Sequence, residues 1–547
     1  MNLQRVYEAT GIKEWSQYQL DVFDAVLNKS GHIAVQATAG SGKSTTLVAV
    51  ANLIDSSKNC RFLAFNKIIA DELNEKLPDY FPASTIHSYG YGLLRQTGKK
   101  FSRPDGYKLN RICSVVANMI GQKFAFDDQE IAQFQYGLQD LINMARLTRT
   151  DVTNVQDMTQ LVNERNLVGY SPDLTYIYNA VLEVIYWSAD DSRVEHDLSS
   201  VARTIVNRLK TAGWKGKNAI PSQGWIDFTD MVDLPVVWDV VPQENDFVLW
   251  DEAQDGTTLY FDFIMQSLVD DGRLIAVGDN KQNIMGWAGS FTNGMQHIVK
   301  QTNATELPLS VSYRCPVSHV NIMNAVLTGT ESPSWAKDGE IIDTDENALI
   351  DIVQDIYDNN GEILIMCRRN APTVRFAVKL LARRIPAKIR GRDFASNITS
   401  IIKQIGLVKG KSRNGLEFTE NFEQFLNQWY AKEKKLLHSK GAGDVAFQSL
   451  DDKHESISIL YNTTDTNNIW DFIKEIEAMF TDNGDKIQLS SVHRAKGREC
   501  ENTAILEYNK MPLVWKTQNE QQFNQELCVQ FVALSRSKNK LYLSSAD

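Results

Sequence analysis

Residues 31–54 read GHIAVQATAGSGKSTTLVAVANLI. Gly31 to Gln36 has the length and apolar character of a short buried strand, and Ser44 to Ile54 carries an apolar pattern at helical spacing. Between them stand Ala37-Thr-Ala-Gly-Ser-Gly-Lys43-Ser44, with Ala37 where the generic phosphate loop has its first glycine. Gly40 and Gly42 let backbone N–H groups converge on phosphate oxygens, and the helix starting near Lys43 turns the positive end of its dipole toward them. The Lys43 ammonium then reaches the β and γ phosphates, and the Ser44 hydroxyl is suited to ligate Mg²⁺.

A second stretch completes this chemistry. Asp246 to Trp250 (DFVLW) reads as a buried strand and runs directly into Asp251-Glu-Ala-Gln-Asp255. An acid at the end of such a strand can hold Mg²⁺ opposite Ser44, which is the role expected of Asp251, and the adjacent Glu252 can polarise an attacking water. Together the two segments predict an ATPase.

Further apolar runs extend the pattern outward. Arg61 to Phe65 and Arg273 to Val277 read as strands of the same parallel α/β unit, while Gly98 to Gly213 shows helical periodicity with few strand signals. A second α/β set begins near Leu309 and includes Glu362 to Cys367, Lys486 to His493, Thr503 to Glu507 and Lys540 to Ser544. It is interrupted over about residues 395–485. The expected organisation is a first α/β domain in two parts, 1–97 and 214–308, around a helical insertion at 98–213. A second domain, 309–394 and 486–547, surrounds an insertion at 395–485.

Composition excludes several alternatives. The 547 residues are 43% apolar and 23% charged, as in globular chains with ordered cores. No apolar run is long enough to span a bilayer, and the N-terminus MNLQRVYEATGIKEW lacks the apolar stretch of a signal peptide, so the expectation is a cytoplasmic protein without a membrane partner. The six cysteines form no CxxC pair and read as reduced thiols. A net charge of −11 argues against coating nucleic acid by bulk electrostatics, yet charge is segregated along the chain. Cys367 to Arg413 holds 13 Lys and Arg against one acid, Asp393, whereas Asp338 to Glu362 holds nine acids and no base. Such a basic block is either a phosphate-facing groove or a solvated helix face.

The ordered motifs resemble those of the UvrD/Rep/PcrA-like helicases of superfamily 1. Trp15-Ser-Gln-Tyr-Gln19 is similar to the adenine-reading Q motif, Leu63-Ala-Phe-Asn-Lys67 to motif Ia and Thr85-Ile-His-Ser88 to motif Ib. Asp227-Phe-Thr-Asp-Met231 resembles the acidic stretch before motif II, and Val277 to Ile284 with Gly286-Trp-Ala-Gly289 resembles motif III. Leu309 to Pro316, Leu489 to Glu499 and Phe531 to Ser537 are similar to motifs IV, V and VI.

The resemblance implies two RecA-like parallel-sheet domains, each with a mainly helical insertion, binding ATP and Mg²⁺ between them and DNA across their top. It assigns Gln19 to the adenine edge, Tyr313 to stacking on the base, and Arg314 and Arg536 to the γ phosphate. Gln254 and Gln282 would link phosphate occupancy to DNA, and Glu499 would contact the ribose. The nucleotide set is completed by Ala39, Gly40, Ser41, Gly42, Lys43, Ser44, Thr45 and Gly497. For DNA, Phe65, His87 and Trp287 are candidate stacking platforms, and Asn66, Lys67, Thr85, Ser491 and His493 candidate strand contacts.

There are departures. Thr45 stands where the family commonly has an Arg packed on adenine, motif Ia is one residue shorter, and Met285 and Ala288 replace a common Tyr and Arg. The first two details resemble the F-box DNA helicase branch and its phage or bacterial relatives. With a compact second insertion and eleven residues after Arg536, no nuclease activity is expected. The implied activity is an ATP-dependent DNA helicase or translocase acting on single strands and single-strand/duplex junctions in repair or replication, with 3′-to-5′ polarity taken from the resemblance alone. The alternatives are a translocase that strips proteins or works with a nuclease, replication or repair partner, and an ATP-gated DNA clamp. RNA also stays open as a substrate, since stacking platforms do not test for the 2′-OH.

Overall fold

The structure, a computed structural model, describes residues 3–165, 167, 170–190, 197–216, 219–221, 224–286, 289–291, 293–406, 422–439, 444–464, 469–480, 486–516 and 518–546. Two compact units account for the chain, one of residues 1–37 with 42–309 and one of residues 38–41 with 310–547.

The first unit is built on six parallel strands: β1 (Ile33–Ala37), β2 (Cys60–Ala64), β3 (Ala83–Thr85), β4 (Asn245–Trp250), β5 (Leu268–Gly278) and β6 (Thr305–Leu309). Their order is β3-β2-β4-β5-β1-β6. Parallel strands are covered on both faces, which is why β1, β2 and β4 read as apolar runs without alternation. Ile33, Val35, Phe62 and Leu249 enter a core with the helices Gln17–Asn28 and Lys43–Leu53, while Ala34, Leu63, Val248 and Leu274 face a second cluster with Phe263 and Ile298. The carboxyl ends of adjacent strands release the chain into the phosphate loop, the Asp251 segment and Asp279, where open α/β sheets carry their ligand sites.

Between β3 and β4 lie the helices Lys108–Phe124, Asp128–Thr148, Val155–Arg165, Thr175–Ala189 and Ser200–Thr211. Ile112, Leu141, Ile142, Tyr178, Val184 and Ile205 form a separate core for them. A buried ionic cluster fastens this bundle to the segment before β4. Arg146 donates to Asp233 at 2.9 Å, Asp230 at 2.5 Å and Asp227 at 3.3 Å, and Lys108 donates to Asp230 at 2.7 Å.

The second sheet comprises β7 (Glu340–Asp345), β8 (Ile363–Cys367), β9 (Lys388–Ile389), β10 (Ile487–Ser491), β11 (Cys500–Ile505) and β12 (Ser537–Ser545), ordered β7-β12-β11-β8-β10-β9 and parallel throughout. The helices Arg392–Gly406, Phe422–Ser439, Asp444–Thr463 and Ile469–Met479 stand between β9 and β10. Unlike the first bundle, they share one core with the sheet: Ile398, Ile402, Leu426, Ile457 and Phe472 lie in the cluster that holds Ile365, Ile389 and Leu489. The chain is therefore α/β with two parallel sheets. Strands β3, β6, β7 and β9 are absent from the sequence reading for physical reasons. Two have three residues or fewer, β6 contains Pro308, and β7 is an edge strand with no fully buried position.

Candidate functional site

The phosphate loop has the backbone its glycines predict. Gly40 and Gly42 adopt φ of 74° and 78°, and Gly42 is the N-cap of Lys43–Leu53. Thr46 donates to the Gly42 carbonyl at 2.9 Å and receives the Gln19 amide N–H at 3.0 Å. Gln19 also closes a capping box with Ser16, whose N–H it accepts at 3.1 Å. The residue predicted to read adenine is thus anchored beside the first turn of the phosphate helix.

Lys43 and Glu252 form an ion pair at 2.8 Å, and Gln254 donates to the other Glu252 oxygen at 2.6 Å. The Gln254 side-chain oxygen Oε1 in turn accepts the Asp279 N–H at 2.9 Å, and Gln282 donates to the Asp279 carboxylate at 2.7 Å. Sequence reasoning did not single out Asp279. Its signal was an acid directly after the apolar run of β5, as Asp251 follows β4. Burial works against the Lys43 charge, but Glu252, Asp251 and Asp279 outweigh it and raise its pKa, so the ammonium is retained. Asp251 accepts the Glu252 N–H at 2.9 Å, and Glu252 itself takes a left-handed backbone, φ 53°.

These residues suit a magnesium nucleotide. The Ser41 hydroxyl is buried and has no hydrogen-bond partner among the described residues, which fits a loop shaped around an oxygen-rich ligand. Ser44 is exposed at the helix start, and a hydroxyl with a single carboxylate matches Mg²⁺, which keeps waters and substrate phosphates for its other positions. Ala39 is buried in the loop, and Thr45 lies in the first turn of the helix.

In the second unit, Arg314 pairs with Glu499 at 2.5 Å and donates to the Ser535 carbonyl at 3.2 Å. Glu499 also pairs with Lys538 at 2.7 Å. Burial would raise the Glu499 pKa, but Lys538 and Arg314 hold it below the ordinary value. Arg536 is 1% exposed and donates to the carbonyls of Val532 at 2.9 Å and Arg498 at 3.2 Å and to the Ser535 hydroxyl at 2.6 Å. Gly497 sits in the exposed turn before Arg498 with φ 81°. Tyr313 is exposed, and its N–H donates to the Gly40 carbonyl at 2.9 Å.

Several DNA candidates carry local structural duties. Asn66 caps the helix Lys67–Asn74 by accepting the Ile69 N–H at 2.9 Å, and Thr85 caps Ile86–Gln96 by accepting the Ser88 N–H at 3.1 Å. Phe65 and Lys67 are exposed after β2, beside Ile68. His87 meets Tyr260 edge-on at 5.6 Å, and burial lowers its pKa. Trp287 and Ala288 lie outside the described residues. Ser491 ends β10, two positions before His493.

Burial, with Arg368 and Lys496 nearby, pushes His493 down to about 3, so at neutral pH it offers hydrogen bonds rather than positive charge. The unfolded chain binds this proton below its ordinary pKa of 6.5, whereas the folded chain resists it until about 3. The associated stability is complete above that upper value and is lost as pH falls toward the lower one. Melting temperature should therefore drop between about pH 7 and pH 5, and should drop less in His493→Gln; equal slopes in scanning calorimetry would exclude His493 as a source.

The basic block is not a bare phosphate-facing groove. Arg368 binds Glu526 at 2.6 Å, Arg369 binds Glu507 at 2.9 Å, Arg375 reaches Glu346 at 3.3 Å, Lys379 reaches Glu346 at 2.8 Å, and Arg383 reaches Asp351 at 2.6 Å. Arg390 donates to Gln488 at 3.2 Å and Lys388 to the Ala478 carbonyl at 2.8 Å. Three of these cations find their acids in the acidic block read separately in the sequence. The residues beyond Gly406 in this stretch lie outside the described residues.

Comparison with known proteins agrees with this geometry. A family model described as UvrD/REP helicase N-terminal domain matches residues 20–303. DNA helicase II of Escherichia coli (strain K12) is 22% identical over 228 residues, covering 37% of this chain and 32% of that protein. F-box DNA helicase protein 1 of Schizosaccharomyces pombe is 22% identical over 331 residues, covering 60% of this chain and 34% of that protein. The aligned regions thus span about a third of the length of these relatives.

Proposed function

The chain belongs to the UvrD/REP helicase family, and on that premise we propose that it is an ATP-driven motor that moves along single-stranded DNA, 3′ to 5′, and separates strands at single-strand/duplex junctions. The observation that carries the reading is the Lys43–Glu252 ion pair at 2.8 Å, with Asp251 adjoining it and Gln254 bonded to the same carboxylate. It joins a phosphate-binding cation to a base suited to activating water.

In this reading Lys43 exchanges Glu252 for nucleotide phosphate, which frees the carboxylate to orient the attacking water. Ser44 and Asp251 would hold Mg²⁺, which supplies charge neutralisation at the phosphates. Arg314 would stabilise charge on the transferred phosphoryl group, and Arg536, 1% exposed and bonded to the Val532 and Arg498 carbonyls, would have to leave those bonds to join it. The chain from Gln254 through Asp279 to Gln282 makes the position of Glu252 sensitive to the loop after β5. Phe65 and Trp287 stack on bases without choosing sequence. The names of the relatives, DNA helicase II and F-box DNA helicase protein 1, support DNA as the substrate.

The test is ATP hydrolysis by the purified chain with single-stranded DNA, with RNA and with neither, followed by unwinding of duplexes bearing a 3′ or a 5′ tail. Stimulation by DNA with unwinding from the 3′ tail is the expected result. Stimulation without unwinding of either duplex would replace the helicase by a translocase, and equal stimulation by RNA would remove the preference for DNA.

A further inference from the structure

One arginine of the first unit's helical insertion reaches out of its own bundle to the loop after β5. Arg165, the last residue of the helix Val155–Arg165, donates through Nη1 to the Ser290 carbonyl at 3.0 Å and to the Gly286 carbonyl at 3.4 Å. These two acceptors flank Trp287 in the sequence. Among the described residues no carboxylate forms an ion pair with Arg165, and burial lowers its pKa with only Glu164 working the other way. A guanidinium taken partly out of water without an acid gives up hydration, and the loop carbonyls supply hydrogen bonds in its place. The same loop lies against a second helix of the insertion, Asp128–Thr148: a Cβ at Gly289, where φ is 84°, would stand 3.1 Å from Leu147 and 3.3 Å from Met144.

From this loop a continuous run of hydrogen bonds leads to the carboxylate proposed to activate water. The Ser290 hydroxyl donates to Asn283 at 3.0 Å, and the Asn283 amide donates to the Phe291 carbonyl at 2.6 Å and to the Gln254 backbone carbonyl at 3.0 Å. Gln254 in turn donates to Glu252 at 2.6 Å. The Phe291 N–H donates to the Gly256 carbonyl at 2.9 Å, which ties the loop to the Asp251 segment a second time. Ser290, Asn283 and Gln254 are all buried, so water does not readily replace these bonds. We propose that Arg165 is a positioning residue for ATP hydrolysis: by holding the Gly286 and Ser290 carbonyls it lets strand binding on this loop reach Glu252 through Ser290, Asn283 and Gln254. The helical insertion thereby sets how strongly DNA stimulates turnover. This rests on the motor reading above and adds to it a residue that no motif contains. Glu252 keeps its ion pair with Lys43 when Arg165 is removed, so the DNA-free reaction does not depend on the clamp.

The experiment measures ATP turnover of the full chain against single-stranded DNA concentration for wild type, Arg165→Ala, Arg165→Lys, Ser290→Ala and the double variant Arg165→Ala/Ser290→Ala. In Arg165→Ala, turnover at saturating DNA should fall about tenfold, while DNA-free turnover and the DNA concentration for half-stimulation stay within about twofold. Arg165→Lys should recover part of the loss, because an ammonium still donates to carbonyls. Ser290→Ala should show a similar loss, and the double variant should be no worse than the worse single one, since both substitutions cut one path. Ser290→Ala leaves the insertion untouched and keeps the test open should Arg165→Ala fail to fold. Equal loss of DNA-free and DNA-saturated turnover would reduce Arg165 to a structural support, and a raised half-stimulation concentration with intact maximal turnover would make it a strand contact; either overturns the proposal. Unchanged stimulation, or additive losses in the double variant, would overturn it as well. All of these leave the motor reading standing, whereas a wild type whose turnover ignores DNA would overturn that reading and this inference together.

Discussion

Glu252→Gln is expected to lower ATP turnover by about 10³-fold while leaving ATP-dependent DNA affinity in place. The substitution keeps the shape of the side chain and its capacity to accept one hydrogen bond from Lys43, but removes the negative charge that, in the proposed mechanism, takes a proton from water. Nucleotide binding should survive because Lys43 is supported by Asp251 and Asp279 as well as by Glu252. Glu252 also sits at φ 53°, a strained backbone for a non-glycine residue, and such strain is typical of positions held for chemistry. Phosphate release measures turnover, and DNA binding titrated with and without ATP measures the rest. Turnover within tenfold of wild type would show that another group activates the water. A variant that behaves as wild type in both assays would favour a slow ATP-gated clamp.

The largest effect on stability is expected from Arg146→Ala, at about 3–5 kcal/mol. Arg146 is 3% exposed and faces three buried carboxylates, Asp227, Asp230 and Asp233. Removing the guanidinium leaves Lys108 as a cation paired with Asp230 alone and strips Asp233 of its 2.9 Å donor. Burial already raises Asp230, helped by the neighbouring Asp227 charge, and loss of the guanidinium removes one of the cations that oppose this rise. The deficit should consequently shrink as pH is lowered from 7 toward 5. Arg146→Lys should recover only part, since one ammonium cannot span three carboxylates in the geometry of a guanidinium. Urea unfolding followed by circular dichroism at the two pH values measures both effects. A cost below about 1 kcal/mol would mean that the cluster relaxes to admit water.

How much was legible depended on how local each feature is. The phosphate loop and the Asp251-Glu252 pair were readable because a strand followed by a turn fixes its chemistry within a few residues. Asp279 obeys the same rule, but its purpose shows only through Gln254 and Lys43, which lie far from it in sequence. The helix caps made by Asn66 and Thr85 were hidden for a related reason: a side chain in a DNA-binding motif also serves as an ordinary N-cap, and the residue type does not say which.

The sequence by itself determined the α/β class, the strand, loop and helix with phosphate-loop spacing, and the acids proposed to complete a hydrolytic site, since these follow from spacing along the chain. Only the tertiary structure decided what the charged segments are for. Read linearly, the basic stretch from Arg368 and the acidic stretch from Asp338 are separate blocks of opposite sign. In the folded unit Arg375 and Lys379 close on Glu346, and Arg383 closes on Asp351. The reason is that ion pairing acts through space: chain spacing records which charges exist, whereas packing of the helices beside the second sheet sets which of them meet and which remain to face a ligand.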